Sequence, residues 1–298
     1  MSFLFWFLVI FLLAIGIYFL IGFIAALTLT KVGPHPQYED DPGIFGVEYE
    51  HVIFSSRGDH LKIAAWYIPN PAAEKAIILV HGRNASKQNA ISGKMPKLAA
   101  EIFRAGLTVL VIDLRAHGES EGERYMWGVE ERRDVLGGVD FLLGEGFMRG
   151  QVAVLGISLG GAAAIGAAAE DDAIGTVILD STFSDLRALI DPNWKTESGL
   201  PKLFLPSVYW MWHVLFGYSL KGIKPVEEIV NIPPRPILIL HCQNDKTVDI
   251  SHAHKLAEAV SEAKLVILNN CEHAELFRNQ PEQYLDALLP FLQEKWGP

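Results

Sequence analysis

Cysteine is nearly absent from this 298-residue chain, which carries only Cys242 and Cys271. Two cysteines make no disulfide framework, and sequence leaves open whether they pair. No His-Glu-x-x-His segment and no Cys/His cluster at zinc spacing occurs, so no metal site is expected. No Gly-Lys-Ser/Thr follows the glycine-rich segment near residue 160, so it is not a phosphate loop, and no cofactor is expected. Basic residues are the minority, 25 Lys and Arg against 35 Asp and Glu, for a net charge of −10. That balance argues against nucleic acid as a partner and against a polybasic lipid-binding patch. Internal repeats and low-complexity runs are also missing.

The most extended absence is of charge between Phe3 and Leu29, where nearly every residue is apolar. About 20 apolar residues suffice for a helix to cross a bilayer. A cleaved signal peptide would have a basic start and a shorter apolar core. No Lys or Arg precedes this run, and Ala25-Ala26-Leu27 is a poor cleavage site. Residues 1–30 therefore read as an uncleaved transmembrane anchor that makes the lipid bilayer a partner. Lys31 is the one basic residue beside it, which tilts the expected orientation slightly towards a cytoplasmic position for the rest of the chain.

Residues 31–46 read as a linker bearing Gly33-Pro34-His35-Pro36 and Pro42-Gly43. The remainder, 47–298, is long enough for one domain. It starts with an antiparallel hairpin from Val47 to Pro69, turning at Arg57-Gly58-Asp59. Strands and helices then alternate: strands at 76–80, 108–113, 152–156, 175–179, 236–242 and 264–268, with helices near 95–105, 130–145, 159–170, 251–262 and 281–295. Alternation of this kind builds a mostly parallel sheet, here of eight strands, with helices on both faces. Because the sheet starts after the linker, the domain is expected to be separable from the anchor.

Chemistry concentrates at Gly156-Ile157-Ser158-Leu159-Gly160. It follows the apolar run Val152 to Leu155 and precedes an Ala-rich helix, a strand–turn–helix setting that exposes a serine on a sharp turn. The glycines let the backbone pass close to itself. An activated serine needs a base and an acid to orient it, in the chain order Ser, Asp, His on such a sheet. Asp245 lies just past the strand ending at Cys242, and His273 is the last histidine, beyond the last strand. Earlier histidines, from His35 to His254, are out of order, and His81 reads as a loop support. Asp180, at the end of the strand 175–179, is a rival acid, although it runs into Ser181-Thr182 and reads as a local cap. Oxyanion donors are expected from the backbone N–H groups of Leu159 and of Arg83, in the loop after strand 76–80. The Arg83 side chain reads as solvated, and the formal sequon Asn84-Ala85-Ser86 as coincidence.

These segments resemble the α/β-hydrolase superfamily of serine-esterase type. The resemblance rests on Leu79-Val80-His81-Gly82, Asp113-Leu114-Arg115-Ala116-His117-Gly118-Glu119-Ser120, the Ser158 segment, Asn244-Asp245-Lys246-Thr247-Val248 and Glu272-His273. It implies an α/β-hydrolase fold, and it implies that the Asp113–Ser120 loop is structural, beneath the site. Such families often have glycine where Ala116 stands, and where His241 or Cys242 stands. The chain is most similar to membrane-anchored members with poorly defined substrates.

Residues 185–232 break the alternation and read as a helical cap over the serine, with Trp210 and Phe216 among the aromatics of an apolar acyl pocket. Residues 206–216 could instead touch the bilayer. The expected activity is hydrolysis of lipophilic carboxylic esters. Peptide or thioester cleavage by the same triad is the enzymatic alternative, and an idle hydrolase fold used for binding is the non-enzymatic one.

Overall fold

The computed structural model describes residues 3–34, 36, 38–294 and 296; His35 and Lys295 lie outside the described residues. Two units separate by their internal contacts. One comprises Val32–Ser184 with the chain from Pro225 onward; the other joins the N-terminal segment up to Lys31 with Asp185–Lys224.

The larger unit is an eight-stranded sheet in the order β1-β2-β4-β3-β5-β6-β7-β8. The strands are β1 (Glu50–Ser55), β2 (Lys62–Ile68), β3 (Ala76–Val80), β4 (Thr108–Ile112), β5 (Val152–Ile157), β6 (Ile174–Asp180), β7 (Ile237–Cys242) and β8 (Lys264–Leu268). The β1–β2 and β2–β4 pairs are antiparallel, and every other pair is parallel. In β3, β4 and β5 every residue is buried, because helices cover both faces. This is why those strands read in sequence as continuous apolar runs rather than as alternating patterns. The hairpin turns where expected, and Ser56 holds it by donating to Asp59 at 2.5 Å and accepting from the Leu61 N–H at 2.9 Å. The linker contains a short turn, Pro42–Phe45, capped by Asp41 accepting from the Ile44 N–H at 3.2 Å. Helix Ser251–Ala259 is shorter than expected, because Val260 is already extended at φ −131°, ψ 108°.

The smaller unit is helical. Helix Phe3–Thr28 is uncharged along its length, and its large apolar side chains are mostly exposed. Its buried residues are Gly22, Ala25 and Ala26, all small. Helix Leu205–Phe216 packs along it. A Cβ added to Gly22 would lie 2.6 Å from Ser207 Oγ and 2.8 Å from the Ser207 backbone, so only glycine permits this approach. The seam continues through the Tyr18 hydroxyl, which donates to the Leu203 carbonyl at 3.1 Å, and through the ring pairs Tyr18–Phe204 at 5.6 Å and Phe19–Trp210 at 4.9 Å. Small residues that let backbones approach are the usual basis of helix pairing in lipid. Helix Leu186–Ser198 completes the unit. Asp185 caps it by accepting from the Ala188 N–H at 2.9 Å, and Gly199 ends it at φ 69°. Trp194 and Trp212 are buried, and Trp194 donates to the Pro201 carbonyl at 3.2 Å.

Candidate active site

Ser158 follows β5 directly and begins helix Leu159–Glu170. Its backbone has φ 53° and ψ −110°, a conformation that costs a non-glycine residue free energy and persists only where the surroundings enforce it. The enforcement is local. Ser158 N–H donates to the Asp180 carbonyl at 2.8 Å, and the Ser158 carbonyl accepts from Gly161 N–H at 3.0 Å. The flanking glycines are required by proximity. A Cβ on Gly160 would lie 2.5 Å from the His81 carbonyl oxygen, and one on Gly156 would run into the Gly160 backbone.

The structure brings the three expected residues together in one line. His273 Nε2 is 3.1 Å from Ser158 Oγ, and His273 Nδ1 is 2.7 Å from Asp245 Oδ2. The second oxygen of Asp245 accepts the N–H groups of Thr247 at 2.8 Å and Val248 at 2.9 Å. Burial raises the pKa of Asp245, but the His273 hydrogen bond and charge, aided by those two amides, outweigh it and hold the pKa below its ordinary value. Asp245 is therefore ionised at neutral pH, as an orienting acid must be.

Asp180 occupies a different position. Its carboxylate accepts from the Ser181 hydroxyl at 2.8 Å and from the Tyr284 phenol at 3.1 Å, at the buried end of β6. Burial pushes its pKa up to about 6, despite those two hydrogen bonds. Ser181 in turn accepts the Ala274 N–H at 3.2 Å, so the loop bearing His273 is tied to the end of β6. Sequence reading did not single out Ser181 or Tyr284 for this role. The only hint was Ser181-Thr182 directly after Asp180.

The loop after β3 passes close to the serine, with an added Cβ on Gly82 falling 3.4 Å from Ser158 Cβ. His81 is fully buried: its Nδ1 lies 2.7 Å from the Gly82 carbonyl, and its Nε2 accepts the Leu114 N–H at 3.0 Å. It supports the loop, as expected. Arg83, whose backbone is an expected oxyanion donor, has a half-buried side chain over the Trp127 ring at 5.2 Å. The solvated arrangement expected for that guanidinium is replaced by stacking on an aromatic face. Leu159, the other expected donor, is buried at the first position of the helix after Ser158.

The Asp113–Ser120 loop underpins this region. Asp113 is buried and takes the Lys87 ammonium and the Lys87 backbone N–H, both at 2.6 Å. Arg115 grips buried Asp134 through its Nε and Nη2 and also reaches Asp59 at 2.7 Å. Ala116, where glycine is common, adopts φ 63°. His117 Nε2 accepts the Asn84 N–H at 3.3 Å. Asn84 itself is engaged through Oδ1, which accepts from Gly33 N–H at 2.7 Å. The expected cap aromatics lie in the helical unit: Trp210 is half exposed and packs against Phe19, and Phe216 lies 4.7 Å from the Trp212 ring. Among the described residues no cluster of His, Cys, Asp and Glu is arranged to hold a metal ion.

The family model described as "Alpha/beta hydrolase family" matches residues 77–287. The chain belongs to this family. Uncharacterized protein YqkD of Bacillus subtilis (strain 168) is 26% identical over 246 residues, which cover 81% of this chain and 78% of that protein. Thiohydrolase aneE of Aspergillus aculeatus is 32% identical over 136 residues, 43% of this chain and 41% of that one. Among solved structures, the Pyrococcus furiosus esterase Pf2001 superposes with a TM-score of 0.73 at 22% identity, covering 89% of this chain and 99% of that one. Esterase RhEst1 from Rhodococcus superposes with a TM-score of 0.60 at 20% identity, covering 82% and 99%. At these identities the two structures establish the shared fold. The neighbourhood as a whole supports a hydrolase acting on a small molecule.

Proposed function

We propose that this hydrolase is a membrane-anchored serine enzyme that cleaves carboxylic esters with apolar acyl groups. The observation that carries the reading is the unbroken line from Ser158 Oγ through His273 to Asp245, at 3.1 and 2.7 Å. In this reading Ser158 Oγ attacks the substrate carbonyl while His273 Nε2 takes its proton. Asp245 holds the imidazole with its other proton on Nδ1 and stabilises the imidazolium that forms. The N–H groups of Arg83 and Leu159 meet the oxygen on which charge develops, each donor contributing about 3 kcal/mol to the transition state. His273 then protonates the leaving alkoxide. Water, activated by the same base, releases the acyl group from Ser158.

The preference for lipophilic substrates is supported by the helical unit. Helix Leu205–Phe216 lies along an uncharged 26-residue helix, long enough to cross a bilayer, and presents Trp210 and Val214 outward. The proposal keeps Trp210 and Phe216 as the residues that would meet an apolar acyl group. Thioester cleavage is the second reading, and the local similarity to a thiohydrolase favours it. No cofactor enters either reaction.

The test is fluorophosphonate labelling of the full-length protein, followed by esters and thioesters of graded acyl length. Wild type should label and Ser158→Ala should not. Each buried methylene contributes up to about 0.8 kcal/mol, so kcat/KM should rise roughly a hundredfold over three or four methylenes and then level. Labelling that survives Ser158→Ala refutes the nucleophile, and a flat chain-length profile removes the acyl preference.

A further inference from the structure

Both cysteines of the chain are buried and bonded to each other, 29 residues apart, with Cα atoms 5.7 Å apart. Their placement relative to the site is specific. Cys242 ends β7, three residues before Asp245; Cys271 follows β8, two residues before His273. The strands themselves pair in parallel up to Cys242 opposite Leu268, and the Gln243 N–H donates to the Leu268 carbonyl at 2.8 Å. Beyond that point the ladder stops. The disulfide thus joins the acid-bearing and base-bearing loops close to where their carboxylate and imidazole meet.

The base loop needs such a tie. Asn270 at φ 56° and Ala274 at φ 58° bracket Cys271 and His273, and both are non-glycine residues in the left-handed region. Such residues stay there only where neighbouring contacts over-determine them. Besides the His273 contacts with Asp245 and Ser158, residues 270–274 are held by Ser181 Oγ accepting Ala274 N–H at 3.2 Å, Asn279 Oδ1 accepting Glu272 N–H at 3.2 Å, the Glu272 carbonyl accepting Glu275 N–H at 3.2 Å and the Asn270 carbonyl accepting from Gln280 Nε2 at 3.5 Å. These four are long as hydrogen bonds go.

We propose that the Cys242–Cys271 disulfide is a positioning element of the catalytic machinery, holding the Asp245 and His273 loops in register, and that the hydrolase domain therefore works on the oxidising, exoplasmic side of its membrane. The proposal rests on the triad reading. Forming the bond removes one hydrogen from each thiol, two electrons in all, which pass to a disulfide-bonded donor by thiol–disulfide exchange; a dithiol or phosphine reductant returns them. Structural disulfides persist in oxidising compartments and are rare where glutathione and thioredoxin keep thiols reduced. This places the domain opposite to the side suggested by the single flanking Lys31, and one residue is a small count for a rule that sums over loops.

The experiment has two arms, both on the full-length membrane protein. In the first, growing cells are acid-quenched, free thiols are blocked with N-ethylmaleimide, and the protein is then reduced and treated with maleimide-polyethylene glycol. Two adducts appearing only after reduction are expected, and cysteines already blocked by N-ethylmaleimide would overturn the compartment. In the second, purified enzyme is reduced with a phosphine well below its melting temperature and assayed beside Cys242→Ala/Cys271→Ala. Both should lose tenfold or more in kcat and in the rate of fluorophosphonate labelling, with KM within twofold and circular dichroism unchanged. Oxidised glutathione should restore the reduced wild type, while the double variant should respond to neither reagent. Full kcat in reduced, folded wild type or in the double variant would overturn the positioning role. Failure of the triad reading shows separately, as labelling that persists in Ser158→Ala.

Discussion

Ser181, the residue just past β6, accepts the backbone N–H of Ala274, the residue just past His273, at 3.2 Å. The contact spans 93 residues of sequence and gives the His273 loop a support independent of Asp245. Ser181 also donates to Asp180, so one hydroxyl joins a buried carboxyl to the base loop.

Ser181→Ala should therefore act through the base loop. It removes an acceptor from a half-buried amide and a donor from Asp180, and an unsatisfied group of this kind costs about 1–3 kcal/mol. A several-fold fall in kcat at constant KM is expected from steady-state kinetics, with a stability loss of that order in urea titrations. Unchanged kcat would show that Ala274 needs no anchor.

Asp245→Asn and Asp180→Asn should separate the two carboxylates. The first breaks the hydrogen bond that selects the imidazole tautomer, and the same change in a comparable triad costs a factor on the order of 10⁴ in kcat. The second should cost less than tenfold, because Asn can still accept from Tyr284. If Asp180→Asn proves the more damaging in side-by-side kinetics, the acid has been assigned to the wrong residue.

Asp180 should also write its presence into the pH dependence of stability. Its pKa of about 6 in the fold stands above the unfolded value near 4. Below pH 4 the group is protonated in both states. As pH rises towards 6, the unfolded chain ionises first, so this group's contribution falls by roughly 3 kcal/mol and is constant above that range. Asp245 runs the other way: its depressed value adds stability at neutral pH that is lost as pH falls through its folded value. Unfolding free energies of wild type and Asp180→Asn, measured from pH 4 to 7, should diverge in favour of the variant. Parallel curves would contradict a buried, reluctantly ionised Asp180.

Gly22→Val and Gly16→Val offer a matched pair on the N-terminal helix. A Cβ at Gly22 meets the Ser207 backbone, whereas one at Gly16 meets nothing within 4 Å. Overpacking a close helix seam typically costs about 1–3 kcal/mol. Thermal unfolding in detergent should show Gly22→Val destabilised by that amount and Gly16→Val unaffected. Equal behaviour of the two would mean that the helices are not held together at Gly22.

What could be read in the sequence follows from range. Ala76–Val80 matches its expected span to the residue, because a strand buried on both faces is a contiguous apolar run with turn residues at its ends. Ser158, Asp245 and His273 lie, as the sequence suggested, in the segments that follow β5, β7 and β8. Tyr284 was not legible in this way: its phenol finds Asp180 across 104 residues, and nothing local distinguishes it from any other helix aromatic. Cys242 and Cys271 could pair only with each other, yet spacing gave no reason that they should. Trp210 announced an aromatic surface without disclosing that it would lie on Phe19. Gly22 read as one more glycine in a membrane helix until Ser207 was found against it.

That seam has a consequence for biosynthesis. Tyr18 and Leu203, which share a hydrogen bond, are 185 residues apart. The ribosome makes the N-terminal helix first and all of β1 to β6 before the helix that packs on it emerges. During that interval the small-residue stripe at Gly22, Ala25 and Ala26 has no partner from its own chain, and lipid or a chaperone must cover it. A chain shortened by its first 30 residues would complete the sheet but leave Phe204, Ser207 and Trp210 without the surface they were shaped to meet. Helix Phe3–Thr28 is therefore a packing template for helix Leu205–Phe216, and a version of this hydrolase without it would need Leu205–Phe216 redesigned along that face.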